Sequence, residues 1–311
     1  MRIADLSLEQ LRARLSHDGL LLPCGPFCIR LRTPLPKLAA EFRQLYADFP
    51  VLEADTYVDF EIEVRSPSPL RRFFRAQVIF DCDGRIPFKP LPFAQAFPIL
   101  EWGLNWVIYS HAHDYLVMHA AVVERGGRCL MLAADPGSGK STLCAALVLR
   151  GWRLLSDEMA LISLKDGLAY PIARPVSLKN TSIDIVRALS PDTHFGPLCP
   201  DTAKGAIAHM RPPLGSVQAM AMPARPAMLV FPKYQAGAAL QSSPEGQAHA
   251  LAELTRHTFN FAVLGGRGFN ALGRLIDQVH AHRIAYASFD QVIPEIERLW
   301  TLAPERPMST P

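Results

Sequence analysis

Long hydrophobic runs and a strong excess of charge are both absent from this sequence. No apolar stretch approaches the roughly 18 residues that a membrane-spanning helix requires, and the first residues, MRIADLSLEQLRARL, mix charges into their apolar positions. That pattern indicates an amphipathic helix rather than a signal peptide, so we expect no membrane partner. The 32 basic and 29 acidic residues leave a net charge of +3. This balance gives no support for binding along a nucleic-acid backbone, and we expect no nucleic-acid partner.

Paired cysteines are absent too, because the six cysteines are scattered and none forms a Cys-x-x-Cys motif. Such scatter favours neither metal ligation nor a disulfide framework, and we expect a reduced, cytoplasmic protein. Internal repeats and low-complexity tracts are missing as well. The six are Cys24, Cys28, Cys82, Cys129, Cys144 and Cys199.

The 311 residues, 49% of them hydrophobic, are enough for one large or two ordinary domains. A helix, a hairpin at Gly25-Pro26, a second helix and a strand pair turning at Asp83-Gly84 predict a small mixed α+β unit. Four prolines between positions 87 and 98 predict its end. We therefore predict an accessory domain over residues 1–97 and a second domain over residues 98–311.

The second domain begins with a predicted buried helix, ILEWGLNWVIYSHAHDYL, in which we expect Trp102 and Trp106 to pack against the small N-terminal unit. The hairpin AAVVE-RGG-RCLMLAA, the helix STLCAALVLR, the strand WRLLS and the hairpin MALISL-KDG-LAYPI follow. Further on, PAMLVFP predicts a buried strand and FNALGRLIDQVHAHRI predicts a helix. This alternation of strands and helices is typical of an α/β domain.

The stretch AADPGSGKSTL fits a relaxed phosphate-binding loop, with alanine where the first glycine usually stands. A strand delivers the chain, small residues let the backbone N–H groups surround phosphates, and the next helix directs its positive end at them. Lys140 would reach the β- and γ-phosphates of ATP, while Ser141 would hold Mg²⁺. The alternative is a flexible Gly-Ser turn that precedes a helix by chance. The predicted nucleotide-binding residues are Ala134, Asp135, Pro136, Gly137, Ser138, Gly139, Lys140, Ser141 and Thr142.

An acid pair, Asp157 and Glu158, ends the strand that follows the helix after this loop. In a right-handed βαβ unit that strand lies parallel to the first one, so both acids are expected at the edge of the sheet where the phosphates bind. One carboxylate can support Mg²⁺ and the other can accept a proton from an attacking hydroxyl. The alternative is a surface turn with two solvated acids.

The segment MHAAVVERGGRCLMLAADPGSGKSTLCAALVLRGWRLLSDE resembles the catalytic core of the HPr kinase/phosphorylase superfamily. With EWGLNW, RPVSLKN and KGAIAHMRPP it resembles, over nearly the whole chain, the bacterial group called HprK-related kinase A. The resemblance implies an α/β P-loop core with a mixed sheet and flanking helices. It also implies that Asp157 is the general base, that Glu158, where HPr kinases have a second aspartate, is an Mg²⁺-linked acid, and that His119 lies near the catalytic acid. A core histidine that closes a strand end is the alternative for His119.

A glycine-rich signature that HPr kinase/phosphorylases use for the reverse reaction is missing between residues 175 and 215. The resemblance therefore does not extend to phosphorylase activity. The same stretch has four basic side chains that would clamp the γ-phosphate or the substrate, unless they are ordinary solvated loop residues. They are Lys179, Lys204, His209 and Arg211.

Taken together, the motifs predict an ATP- and Mg²⁺-dependent kinase that phosphorylates a hydroxyl. By resemblance, the acceptor is a serine or threonine of a protein or peptide, with a peptide from a neighbouring biosynthetic cluster as one option. The alternatives are a kinase for a small metabolite and a non-catalytic ATP-binding switch or scaffold protein. The sequence leaves homo-oligomerisation open.

Overall fold

A computed structural model describes residues 1–303 of the chain, and its N-terminal unit is a five-stranded sheet with helices packed on it. The strands pair antiparallel except for β2 and β3, which are parallel. In spatial order they are β1 (Leu20–Cys24), β2 (Phe27–Arg32), β3 (Phe60–Arg65), β4 (Gln77–Cys82) and β5 (Leu91–Pro92). The first helices are α1 (Leu8–Ser16) and α2 (Pro36–Leu45), with short 3-10 helices at Ile3–Asp5, Leu70–Arg72 and Phe93–Gln95.

The helix α3 (Ala96–His111) joins the N-terminal unit to the rest of the chain. Its buried residues belong to the same hydrophobic core as the first sheet. At Gly103 a β-carbon would lie 2.1 Å from the ring of Phe80, so only glycine allows this close approach of helix and strand. The boundary predicted between residues 97 and 98 falls inside the first turn of this helix.

A six-stranded mixed sheet forms the centre of the remaining chain. Its strands, in spatial order, are β16 (Gln241–Pro244), β17 (His280–Tyr286), β15 (Arg225–Tyr234), β8 (Arg128–Ala133), β7 (Ala120–Arg125) and β9 (Arg153–Ser156). Strands β17, β15 and β8 are parallel, and β9 runs in the same direction because β7 pairs antiparallel with both β8 and β9. The ends of β8 and β9 therefore point to the same edge of the sheet.

Helices cover both faces of this sheet, which explains why its central strands are apolar on both sides. Along β8, Leu130 and Leu132 join the core on one face, whereas Met131 and Ala133 join the core on the other. One face packs against α4 (Lys140–Leu149), α5 (Thr181–Leu189) and α10 (Phe289–Leu302). The opposite face packs against α7 (Gln247–Arg256), α8 (Phe261–Leu264) and α9 (Gly266–Gln278).

Two small antiparallel sheets and one short helix complete the fold. One sheet has the order β11 (Ala169–Tyr170), β10 (Ala160–Ser163), β6 (Tyr115–Met118). The other has the order β12 (Val176–Lys179), β14 (Gly205–Met210), β13 (Cys199–Thr202). The helix is α6 (Leu214–Gln218).

Three of the predicted elements differ from the structure. The helix predicted over residues 99–116 ends at His111, and its last two residues begin β6. The C-terminal helix was predicted to continue through VHAHRI, but α9 ends at Gln278 and the following residues form β17. Parallel pairing of β17 with β15 along seven residue pairs stabilises the strand, and local helical spacing cannot reveal that pairing. The predicted turn at Asp83-Gly84 is present with φ values of 50° and 80°, but only an isolated bridge to Arg85 follows it. Prolines at 87 and 90 prevent a continuous strand there.

All six cysteines are buried and free of disulfides. No helix within residues 1–303 combines the length and the hydropathy needed to cross a bilayer.

Candidate functional site

A loop over residues 134–139 connects β8 directly to α4, as the sequence predicted. Gly137 and Gly139 have φ values of +89° and +88°, in the left-handed region that favours glycine. A β-carbon on Gly139 would also lie 3.1 Å from the Cβ atom of Tyr234 and from the hydroxyl oxygen of Tyr286. The glycines therefore allow the loop to curl tightly above the start of the helix.

The end of β15 holds this loop in place. The backbone N–H of Tyr234 donates to the carbonyl of Ser138 at 2.9 Å, and Ser138 N–H donates to the carbonyl of Asp135 at 3.2 Å. The hydroxyl of Ser138 is buried and has no hydrogen-bond partner among the described residues. A buried hydroxyl without a partner is costly. The loop thus contains an unsatisfied polar group beside the N-terminus of α4, and a helix N-terminus favours a bound anion.

Lys140 connects the loop to the acid pair. Its side chain is buried, and its ammonium donates to the backbone carbonyl of Asp157 at 2.9 Å. Burial lowers the pKa of Lys140, whereas the nearby carboxylates of Asp157 and Glu158 oppose that shift. The positive charge therefore lies between the end of β8 and the end of β9, on either side of β7.

Asp157 is buried and does not line the cleft. Its carboxylate accepts a hydrogen bond from the backbone N–H of Ser177 at 2.9 Å, and the residue is only 7% exposed. Burial raises its pKa to about 7, and the charge of Glu158 adds to the shift. A carboxyl group with such a pKa is suited to exchange protons near neutral pH.

Glu158 differs from its neighbour because its side chain lines the cleft. Burial by itself would raise its pKa, but Lys140, Lys179 and other positive groups nearby outweigh burial and lower it. The carboxylate is therefore ionised near neutral pH, as a ligand for a cation must be. Its Oε2 atom accepts a hydrogen bond from the side-chain amide nitrogen of Asn105 on α3.

The cleft above the loop has a volume of about 1260 Å³. All the predicted nucleotide-binding residues from 135 to 142 line it, while Ala134 is buried beneath them. His119, Glu158, Lys179 and Lys204 line the same cleft. The structure thus brings together most of the side chains that were predicted from separate motifs.

His119 lies in the bend between β6 and β7. Its backbone N–H donates to the carbonyl of His257 at 2.7 Å, and its ring is nearly perpendicular to the Phe259 ring, with the ring centres 5.9 Å apart. Burial lowers the pKa of His119 to about 4, and the charge of Lys140 contributes to the shift. The imidazole is therefore neutral at pH 7, when it can donate one hydrogen bond and accept another.

The four basic residues predicted to clamp phosphate or substrate divide into two groups. Lys179 and Lys204 line the cleft, and the Lys204 ammonium lies 5.1 Å from the centre of the Trp102 ring. His209 and Arg211 are not brought to it. His209 is buried beside Phe97, with the ring centres 4.9 Å apart.

Arg211 instead forms an ion pair with Asp48, which follows α2 in the N-terminal unit. A guanidinium held by a carboxylate on another surface is not available to a phosphate in the cleft. For Arg211 the structure therefore corrects the clamp prediction, and its observed contact is with the N-terminal unit.

An aromatic wall, formed by Trp102, Trp106 and Tyr109 of α3 together with Phe259, is the part of the cleft that sequence reasoning missed. The two tryptophans were predicted to pack against the N-terminal unit, and Trp106 does contact that core, but both also line the cleft. Tyr109 stacks on Phe259 with ring centres 5.2 Å apart. The spacing of the three aromatic residues on α3 follows one helical face, which is the signal that could have revealed the wall.

The described residues include no group of three or more His, Cys, Asp and Glu side chains arranged to hold a metal. Mg²⁺ in phosphate sites usually takes only one or two protein ligands, with phosphate and water oxygens completing its shell. The Ser141 hydroxyl and the Glu158 carboxylate line one cleft and are hard oxygen donors. These two residues therefore fit the predicted magnesium site.

Comparison with solved structures gives distant structural likenesses. The chain is similar to the Hpr(Ser) kinase/phosphatase from Coxiella burnetii, with 12% sequence identity and a TM-score of 0.28. The alignment covers 60% of this chain and 98% of the other. No protein-family model matches the chain, and no curated protein matches it.

Proposed function

We propose that the protein is an ATP- and Mg²⁺-dependent kinase that transfers the γ-phosphoryl group to a hydroxyl, and that the acceptor is a serine or threonine of a protein or peptide. The observation that carries this proposal is the single cleft that is lined by the 135–142 segment and by Glu158. Phosphoryl transfer needs positioning and charge stabilisation. One edge of the sheet supplies both, with a loop whose conformation requires glycines, a buried lysine and an acid pair.

In this proposal the loop acts as a P-loop. Its backbone N–H groups and the start of α4 hold the phosphates, and Lys140 neutralises charge on the β- and γ-phosphates. Ser141 and Glu158 are the protein ligands for Mg²⁺. When bound, the ion neutralises charge on the phosphates and orients them.

Asp157 is the candidate general base, which takes the proton from the acceptor hydroxyl. Its position behind the cleft wall requires a small movement before it can reach an acceptor. A hydrogen bond made only in the substrate complex is common among catalytic groups. Glu158 already faces the cleft and is the alternative base.

The size and lining of the cleft support transfer over simple nucleotide sensing. Pockets for one drug-sized ligand usually measure about 300–1,000 Å³, and this cleft measures about 1260 Å³. A switch protein requires space for the nucleotide only. The aromatic wall gives a second ligand an apolar surface, which suits a peptide side chain or another apolar acceptor group.

The test is a transfer assay with γ-labelled ATP, Mg²⁺ and a cell lysate, followed by separation into protein, peptide and small-molecule fractions. With the parent protein we expect one protein or peptide species to gain label above that of the lysate alone, and with Lys140→Ala we expect no such gain. Label confined to a small molecule would replace the peptide acceptor by a metabolite. Binding of Mg-ATP without any labelled product would favour the switch or scaffold alternative.

A further inference from the structure

A chain of hydrogen-bonded polar side chains, buried at its far end, connects the N-terminal unit to Glu158 in the cleft. The hydroxyl of Tyr46, at the end of α2, donates to Glu101 on α3. Arg174 donates through Nη1 to Glu101 Oε2 at 3.1 Å and through Nη2 to the side-chain oxygen of Asn105. Asn105 then donates through its amide nitrogen to Glu158 in the cleft. These five side chains are called the polar relay below.

The chemistry of its neighbours fixes the orientation of the Asn105 amide. A guanidinium can only donate hydrogen bonds, so the Arg174 side must meet the amide oxygen. An ionised carboxylate can only accept, so the Glu158 side must meet the amide nitrogen. A side chain that donates on one side and accepts on the other is needed at this position, and an aspartate or leucine could not do both.

The far end of the polar relay is held firmly because its charges are buried. Arg174 is 8% exposed and Glu101 is 5% exposed, and each would be a buried charge without its partner. Removing one partner of such a pair is strongly destabilising, so the geometry resists displacement. Glu101 and Asn105 are one helical turn apart on α3, which allows one guanidinium to hold both.

We propose that Asn105 is a positioning residue that fixes the Glu158 carboxylate in the orientation required to bind Mg²⁺ with the nucleotide, and that the N-terminal unit supports this orientation through the polar relay. The inference rests on the proposed function, because it assigns Glu158 to the metal. It gives the N-terminal unit a part in building the site. Partners that hydrogen-bond to a metal ligand typically affect metal affinity 10- to 100-fold.

The test is Asn105→Leu, which removes both hydrogen bonds and keeps the number and branching of the side-chain heavy atoms. ATP binding is measured by calorimetry at a series of free Mg²⁺ concentrations, and the Mg²⁺ concentration that gives half of the maximal affinity is compared with that of the parent. We expect that concentration to rise about tenfold or more. Ser110→Ala, on the same helix but outside the polar relay, is the matched control and should leave it unchanged.

Two further variants separate positioning from general loss of structure. Asn105→Gln keeps both a donor and an acceptor, so its Mg²⁺ requirement should lie between that of Asn105→Leu and that of the parent. Tyr46→Phe removes only the most distant hydrogen bond and should shift the Mg²⁺ requirement in the same direction by a smaller factor. Thermal unfolding without ligand gives the stability of each variant. If Asn105 had a merely structural role, its variants would lose stability but their Mg²⁺ requirement would not change.

The possible results separate this inference from the proposed function. An Asn105→Leu protein that binds ATP with a Mg²⁺ requirement within twofold of the parent overturns the positioning role alone. If Asn105→Leu shifts the Mg²⁺ requirement but the parent protein itself transfers no phosphate, the positioning role is retained and the kinase activity is overturned. A parent protein that shows no Mg²⁺-dependent ATP binding overturns both.

Discussion

Lys140 is the side chain on which nucleotide binding should depend most. It is buried at the base of the cleft, where its charge is poorly screened by solvent. We predict that Lys140→Ala abolishes stabilisation by Mg-ATP in a thermal-unfolding experiment. At an ATP concentration 100 times Kd, that stabilisation is worth about 2.7 kcal/mol. Lys233→Ala, an exposed residue near the end of β15, serves as the control. An equal response in Lys140→Ala and the parent would contradict the assigned role.

Asp157 and Glu158 should differ in what they contribute. We predict that Asp157→Asn retains Mg-ATP binding and reduces phosphoryl transfer by a factor on the order of 10² to 10⁴, because an amide cannot take a proton from the acceptor. Glu158→Gln should instead weaken Mg²⁺-dependent ATP binding. Calorimetry and a transfer assay measure the two effects. If Asp157→Asn transfers phosphate at the parental rate, the base is another residue, and Glu158 becomes the candidate.

His209 should make the folded protein sensitive to acid. Burial lowers its pKa to about 4 from the ordinary value of 6.5. The folded state resists protonation of His209. The contribution of this residue to the free energy of unfolding is therefore fully present above about pH 6.5 and is lost as the pH falls toward about 4. We predict a loss on the order of 1 to 3 kcal/mol over that range.

His209→Met is the comparison for this loss, because it replaces the titrating group by an apolar side chain of adaptable shape. Urea unfolding at pH 7 and at pH 4.5 should show a steeper decline for the parent than for the variant. Both proteins retain Asp157 and His119, so the difference between the two declines reports His209. Identical declines would show that His209 does not carry the effect.

Among the elements, the strand, loop and helix from β8 to α4 depend on two glycines that differ in a testable way. Both have φ near +90°, where a side chain costs roughly 1–2 kcal/mol. A β-carbon on Gly137 meets nothing within 4 Å, whereas on Gly139 it approaches Tyr234 and Tyr286 at 3.1 Å. We predict that Gly139→Ala lowers the free energy of unfolding by more than Gly137→Ala, with a difference on the order of 1 kcal/mol. Urea unfolding checks this, and equal losses would contradict it.

Elements that depend on local sequence were predictable, while contacts between distant segments were not. The glycines at 126 and 127 indicated the β7–β8 hairpin, which forms with Arg125 paired to Arg128. The acid pair was expected at the sheet edge because strand direction follows from chain connectivity. In contrast, Arg211 is held by Asp48 from a segment 163 residues away, and no local pattern indicates such a partner.

At the scale of the whole molecule, the N-terminal unit contacts the rest of the chain at other places besides α3. The pair between Asp48 and Arg211 fastens that unit to the end of β14, and Gln44 donates through its side chain to the carbonyl of Phe195 at 2.8 Å. These contacts lie outside the polar relay. They indicate that the segment carrying Lys204 is also supported from the N-terminal side.

At this scale we predict that a fragment of residues 98–311 does not fold stably. Leu100, Leu104 and Ile108 of α3 are buried in the core shared with the first sheet, and deleting residues 1–97 would expose them. Circular dichroism on heating should show no sharp cooperative transition for the fragment, while the full chain should show one. A fragment that unfolds cooperatively and binds Mg-ATP as tightly as the full chain would contradict this prediction.

The burial of the cysteines turns the protein's own thiols into reporters of opening. Cys129 and Cys144 are 0% exposed, Cys82 is 2% exposed and Cys24 is 3% exposed. A thiol reagent reaches these four only after the surrounding structure separates, so the labelling rate measures how often that happens. Cys24, Cys28 and Cys82 lie in the first sheet, whereas Cys129 and Cys144 lie in β8 and α4. Mass spectrometry of the labelled peptides over time would therefore show, without any introduced probe, whether the two parts of the chain open together or in turn.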